Sequence, residues 1–155
     1  NSKKLIILKA FTKLYGMAGV RLGYCLCSDT ELLARMRAAG QPWAVSSLAQ
    51  AAGIAALDET EYVAKVRALI EAQRPVLADG LRALGLRVIE GRANYLLFRA
   101  PEALGEALRR KGAVLRSCGN YPGLDASWYR TAVRTENENR QLLALLAETL
   151  PEVAQ

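Results

Sequence analysis

Residues 4–10, KLIILKA, form an apolar run that does not alternate with polar positions. A strand of this kind is apolar on both faces, which is typical of a parallel sheet covered by helices. The punctuation downstream fits an α/β chain of that type. Phe11–Gly19 reads as a polar, glycine-punctuated loop, and Val20–Cys27 as a second strand. Ser28 with Glu31 makes a capping box that predicts a helix to Ala39, stopped at Gly40. Ser46 or Ser47 caps a helix to Leu57, and another runs from Thr60 to Leu84, kinked at Pro75 and ended by Gly85. Trp43, after Pro42, is expected to plug the junction between two structural units.

The second half has its own rhythm. Arg87–Ile89 and Tyr95–Phe98 read as strands, and Pro101 opens a helix at its first position that Gly112 closes. Ala113–Arg116 and Trp128–Arg134 read as further strands flanking a loop over Cys118–Ser127. Thr135 with Glu138 is a second capping box, for a last helix to Leu150. Residues 85–150 are therefore expected to form a compact α/β unit. The boundary before it falls between residues 40 and 60.

Composition narrows the chemistry. The 155 residues include no histidine, which removes histidine triads and imidazole metal sites. Three cysteines suit a reducing compartment better than a disulfide scaffold. Cys25 and Cys27 read as strand packing, with no further ligand cluster for a metal. The net charge of +6 is scattered, without a nucleic-acid motif. No apolar run approaches the roughly 20 residues of a membrane span. The expected setting is the cytoplasm, with neither nucleic acid nor membrane as partner. The chain starts at Asn1 directly before a strand-like run, which hints at a piece of something longer.

One segment concentrates reactive residues: Thr12, Lys13, Tyr15, Gly16, Gly19, Arg21, Gly23 and Tyr24. A lysine at the end of a buried strand would be partly desolvated, and a neutral amine can form a Schiff base with a carbonyl. An arginine eight residues later suits a phosphate, whose oxygens its fork binds in pairs. Spacing alone favours reading Lys13 as a surface-loop residue.

The run T-K-x-Y-G-x-x-G-x-R-x-G-Y resembles the cofactor-lysine signature of fold-type I pyridoxal-phosphate enzymes, close to the histidinol-phosphate aminotransferases and threonine-phosphate decarboxylases. Gln41–Ser46, Ala93–Phe98 and Tyr129–Thr135 agree with the same family, so the likeness covers nearly the whole chain. It implies the C-terminal end of a large domain over residues 1–45, then linking helices and a complete small α/β domain over 46–155. It implies pyridoxal 5'-phosphate as cofactor, with Lys13 as the Schiff-base residue and Thr12 and Arg21 on the phosphate. Ala10 stands where the family commonly has a hydroxyl residue, so one phosphate hydrogen bond is expected to be missing. Arg116 and Arg130 are implied to hold the substrate's anionic groups.

The stretch from Arg116 to Arg134 looks more like the decarboxylase of cobalamin synthesis, since the aminotransferases usually carry glycine at the place of Arg134. Arg134 reads as a subfamily marker or simply a salt-bridge residue. Tyr24, Asn94 and Tyr95 read as pocket or core. The family is more than twice this length, so an upstream half, homodimerisation and inactivity of this piece alone are expected. A non-catalytic α/β binding module is the alternative of another class.

Overall fold

The computed structural model describes residues 2–153. Two compact units, Asn1–Val66 and Arg67–Gln155, divide the chain.

In the first unit β1 (Ile7–Ala10) pairs antiparallel with β2 (Gly23–Leu26), with Lys9 opposite Tyr24 and Ala10 opposite Gly23. The apolar run is not buried as its composition predicts: all four β1 residues are exposed, Leu8 at 75%. Two strands form a ribbon, which cannot cover either of its own faces. The expected loop contains a one-turn helix, α1 (Phe11–Leu14), and a 3₁₀ turn (Ala18–Val20). Phe11 anchors it. Its ring is buried, stacks on Tyr15 at 5.1 Å and lies 5.8 Å from Tyr24. Helix α3 (Ser47–Asp58) presents Ala49, Gly53 and Ala56 as its buried residues. A methyl group on Gly53 would come within 2.3 Å of Leu22 Cδ2, so that side chain would have to turn aside to admit one.

Helix α2 (Thr30–Ala39) starts one residue later than Ser28 would have it. Asp29 is the cap, its carboxylate accepting from the Leu32 amide at 2.9 Å. A carboxylate beside the helix start also meets the positive end of the dipole. Ser46 caps α3 as expected, accepting from Ala49 N at 3.2 Å. Trp43 plugs nothing: it is 97% exposed, in a turn at φ 58°.

Helix α4 (Thr60–Ala83) runs continuously through Pro75 and enters the second unit. It ends at Gly85, whose φ of 79° lets its amide return to Arg82 O at 2.9 Å. There β3 (Arg87–Ile89), β4 (Tyr95–Arg99), β5 (Arg116–Ser117) and β6 (Trp128–Ala132) form an antiparallel sheet in the order β3-β4-β6-β5. One face supplies Leu96, Phe98 and Tyr129 to a core with Leu77 and Leu81 of α4 and residues of α5 (Leu104–Arg110) and α6 (Glu136–Val153).

Three boundaries differ from expectation. Pro101 opens a turn rather than a helix, because the Tyr129 hydroxyl donates to Glu102 O and accepts from Gly105 N, pinning residues 101–105. Strand β5 begins at Arg116, since the Ala113 amide is taken by Leu108 O at 2.9 Å as α5 closes. Strand β6 stops at Ala132, and the Arg134 amide turns to Asn139 Oδ1.

The Thr135–Glu138 capping box forms. The Glu138 carboxylate accepts from the Thr135 hydroxyl at 2.6 Å and its amide at 3.2 Å, and pairs with Arg134. The Thr135 hydroxyl first, then its amide and the Arg134 charge, hold the Glu138 carboxyl below its ordinary value of 4.5. A depressed carboxyl stabilises the fold above its unfolded value and loses that contribution as pH falls through the folded one. Glu138→Gln is therefore expected to flatten the loss of thermal midpoint on acidification below about pH 4.5. A pH series of melting curves, native against variant, measures it.

Candidate active site

The first candidate cluster sits at the end of β1. Thr12 and Lys13 lie in α1, whose N-cap is Ala10; its methyl caps nothing. Lys13 is exposed rather than partly buried, because α1 turns only Phe11 inward. Among the described residues the Lys13 ammonium and the Thr12 hydroxyl have no hydrogen-bond or ion-pair partner. Arg21 is exposed, and its guanidinium reaches only Ala18 O, at 3.4 Å. Its backbone is left-handed (φ 56°, ψ 42°), a conformation that costs a non-glycine residue about 1 kcal/mol and recurs at ligand sites.

Residues 1–28 contain Lys3, Lys4, Lys9, Lys13 and Arg21 and no carboxylate; the first is Asp29. An amine and a hydroxyl without partners among the described residues, with a guanidinium that donates only to Ala18 O, in a stretch free of acids, fit a group carrying a phosphate and an aldehyde. Among the described residues no group of histidine, cysteine or acidic side chains could hold a metal.

The second cluster lies on the exposed face of the β3-β4-β6-β5 sheet. Arg116 of β5 and Arg130 of β6 are direct register partners, so their side chains share that face. Arg116 donates to Asn120 Oδ1 at 3.1 Å and lies 5.8 Å over the Tyr121 ring. Arg130 lies 4.5 Å over the Tyr95 ring. Neither has a carboxylate within ion-pair distance among the described residues. Arg134 does: it pairs with Glu138 at the start of α6. Tyr24 and Tyr95 are exposed rather than core. The stacking of Tyr95 on Arg130 had only a faint signal, an aromatic residue in one strand and an arginine in another whose register the sequence does not state.

Each unit of this α/β chain thus carries cationic side chains without a carboxylate partner among the described residues. The chain belongs to the aminotransferase class I and II family, which matches residues 1–146, and the enzymes of this family work with pyridoxal 5'-phosphate. It is 38% identical over 152 residues to a threonine-phosphate decarboxylase of Salmonella typhimurium, covering 96% of this chain and 42% of that protein. It is 39% identical over 151 residues to a histidinol-phosphate aminotransferase of Symbiobacterium thermophilum, covering 96% and 41%. The crystal structure of the histidinol-phosphate aminotransferase from Clostridium acetobutylicum superposes with a TM-score of 0.91 at 31% identity, over 98% of this chain and 47% of that one. The α/β fold expected from the fold-type I likeness is thereby borne out. The chain spans about two fifths of the length of the curated relatives it matches.

Proposed function

We propose that this chain carries the cofactor lysine and the substrate arginines of a pyridoxal-phosphate-dependent decarboxylase acting on L-threonine O-3-phosphate. The observation that carries the reading is the pair Arg116–Arg130, opposite in register and free of carboxylate partners among the described residues. Two guanidinium groups on one face of the sheet, each without a carboxylate partner among the described residues, suit a ligand with two anionic groups, here a carboxylate and a phosphate. Histidinol phosphate carries only the phosphate, but 2-oxoglutarate, the co-substrate of such an enzyme, carries two carboxylates, so a histidinol-phosphate-type aminotransferase is the second reading. It keeps its place because the two kinds of relative match at similar identity, 38% and 39%.

In this proposal residues 1–45 close the cofactor-binding large domain, and 46–155 are linking helices and the small domain. Lys13 takes the cofactor aldehyde, while Thr12 and Arg21 hold its phosphate. When bound, the cofactor supplies an electron sink for the bond broken at the substrate α-carbon. Arg130 grips the carboxylate and Arg116 the phosphate. By fixing the carboxylate's orientation, Arg130 decides whether carbon dioxide or a proton leaves, a geometric control that contributes several kcal/mol. The Lys13 amine, once freed by substrate, delivers the proton to the α-carbon. The enzyme we assign is a cytoplasmic homodimer of cobalamin synthesis, completed by an upstream half of the same polypeptide.

The deciding experiment assays the polypeptide at the length of its relatives. Carbon dioxide released from O-phosphothreonine without any 2-oxo acid is the expected result. Conversion of histidinol phosphate that requires 2-oxoglutarate, with no carbon dioxide release, would overturn the decarboxylase in favour of the aminotransferase.

A further inference from the structure

Arginines in the second unit fall into two kinds. Arg82, Arg99, Arg109, Arg110, Arg134 and Arg140 each have a carboxylate within 4.0 Å. Arg67, Arg74, Arg87, Arg92, Arg116 and Arg130 have none among the described residues, and of these Arg116 and Arg130 face each other across β5 and β6. Like charges directly opposite in a sheet repel, so something other than neutralisation holds this pair. For Arg130 it is an aromatic face. Tyr95 stands opposite Ala132, two residues along β6 from Arg130, so both side chains lie on the same side of the sheet. The guanidinium carbon sits 4.5 Å from the Tyr95 ring centroid, well inside the range of a cation–π interaction.

A ring and a carboxylate hold a guanidinium in different ways. A carboxylate binds the N–H groups at the edge of the plane and cancels the charge. A ring takes the flat face, leaving the charge and all five edge donors for a ligand. Stacking also removes rotamer freedom that an anion would otherwise have to freeze on binding. Tyr95 is 40% exposed, so its place on the sheet's open side is not set by core packing.

From this geometry we propose that Tyr95 is a positioning residue, whose ring holds Arg130 flat and uncancelled so that its edge meets the substrate carboxylate. The proposal rests on the reading of Arg130 as a substrate residue. It predicts a dependence on the ring's π electrons and none on the phenol hydroxyl.

The test is made in the holoenzyme with O-phosphothreonine. Tyr95→Leu is expected to raise KM roughly tenfold and to lower kcat as the carboxylate's orientation slackens, while Tyr95→Phe stays within about twofold in both. Phenylalanine analogues at position 95 with one, two and three ring fluorines keep the shape and progressively drain the π face. KM is expected to climb along that series at an unchanged thermal midpoint, which a packing role would not produce. A flat KM across the fluorinated series, or a Tyr95→Phe variant as impaired as Tyr95→Leu, overturns the role of the ring. Arg130→Ala is the control. If its KM rises while the fluorinated series is flat, the substrate reading stands and this proposal alone falls. If its KM is unchanged, the substrate reading itself falls and this one with it.

Discussion

Lys13→Ala, in the polypeptide at the length of its relatives, is expected to lower kcat on the order of a thousandfold or more, because the residue serves as both covalent anchor and proton carrier. Lys13→Arg is expected to be as inactive, since a guanidinium does not give up its proton to become a nucleophile. The structure makes this substitution a clean one. Lys13 is exposed at the end of the one-turn helix α1, and its ammonium has no partner among the described residues. Stability should therefore change by no more than about 0.5 kcal/mol, the usual limit for a surface replacement. Borohydride reduction of the native holoenzyme followed by peptide mapping should place the cofactor label on Lys13, and on nothing in the variant. A label elsewhere in the native enzyme, or a variant that still turns over, would remove Lys13 from the chemistry.

The helix stops at Gly85 and Gly112 and the caps at Ser46 and Thr135 were legible because their information is in residue types at short spacing. Each is a local bargain between neighbouring backbone groups and one side chain. Asp29 displaced Ser28 as a cap within the same logic, one acceptor outcompeting another. What local reading could not reach is what lies across from each residue. The run 4–10 has the composition of a buried strand, yet its exposure depends on elements far along the sequence. Trp43 has the size of a plug and the solvent contact of a tip. The pairing of Arg116 with Arg130, and the place of Tyr95 beneath Arg130, come from strand registers that join residues 14 and 35 positions apart. Arg116 and Arg130 were found through resemblance. The ring that orients one of them was found only in the sheet.

Phe98→Ala is expected to destabilise the second unit by about 3–5 kcal/mol, the sum of lost transfer energy and the cavity left behind. Phe98 is fully buried in β4, and its ring centroid lies 6.1 Å from that of Tyr129. The same cluster holds Leu77, Leu81, Leu104, Leu108 and Leu146, all fully buried, so the ring's neighbours are close-packed side chains with little room to shift. Domains hold only about 5–15 kcal/mol in total, so the loss takes a large share. The two tryptophans fall one in each unit, Trp43 and Trp128. With Trp43→Phe as background, Trp128 fluorescence during denaturant unfolding reports the second unit by itself. The midpoint should fall at constant slope, whereas Leu8→Ala, on the exposed ribbon, should leave it unmoved. A Phe98→Ala cost below about 1.5 kcal/mol would mean that this ring does not close the core. The consequence extends to the substrate side, because Phe98 pairs with Tyr129 one register step from Leu97 and Arg130. Slackening β4 against β6 from the core face must also loosen the arginine on the other face, so KM should rise in the same variant at temperatures where it is still folded.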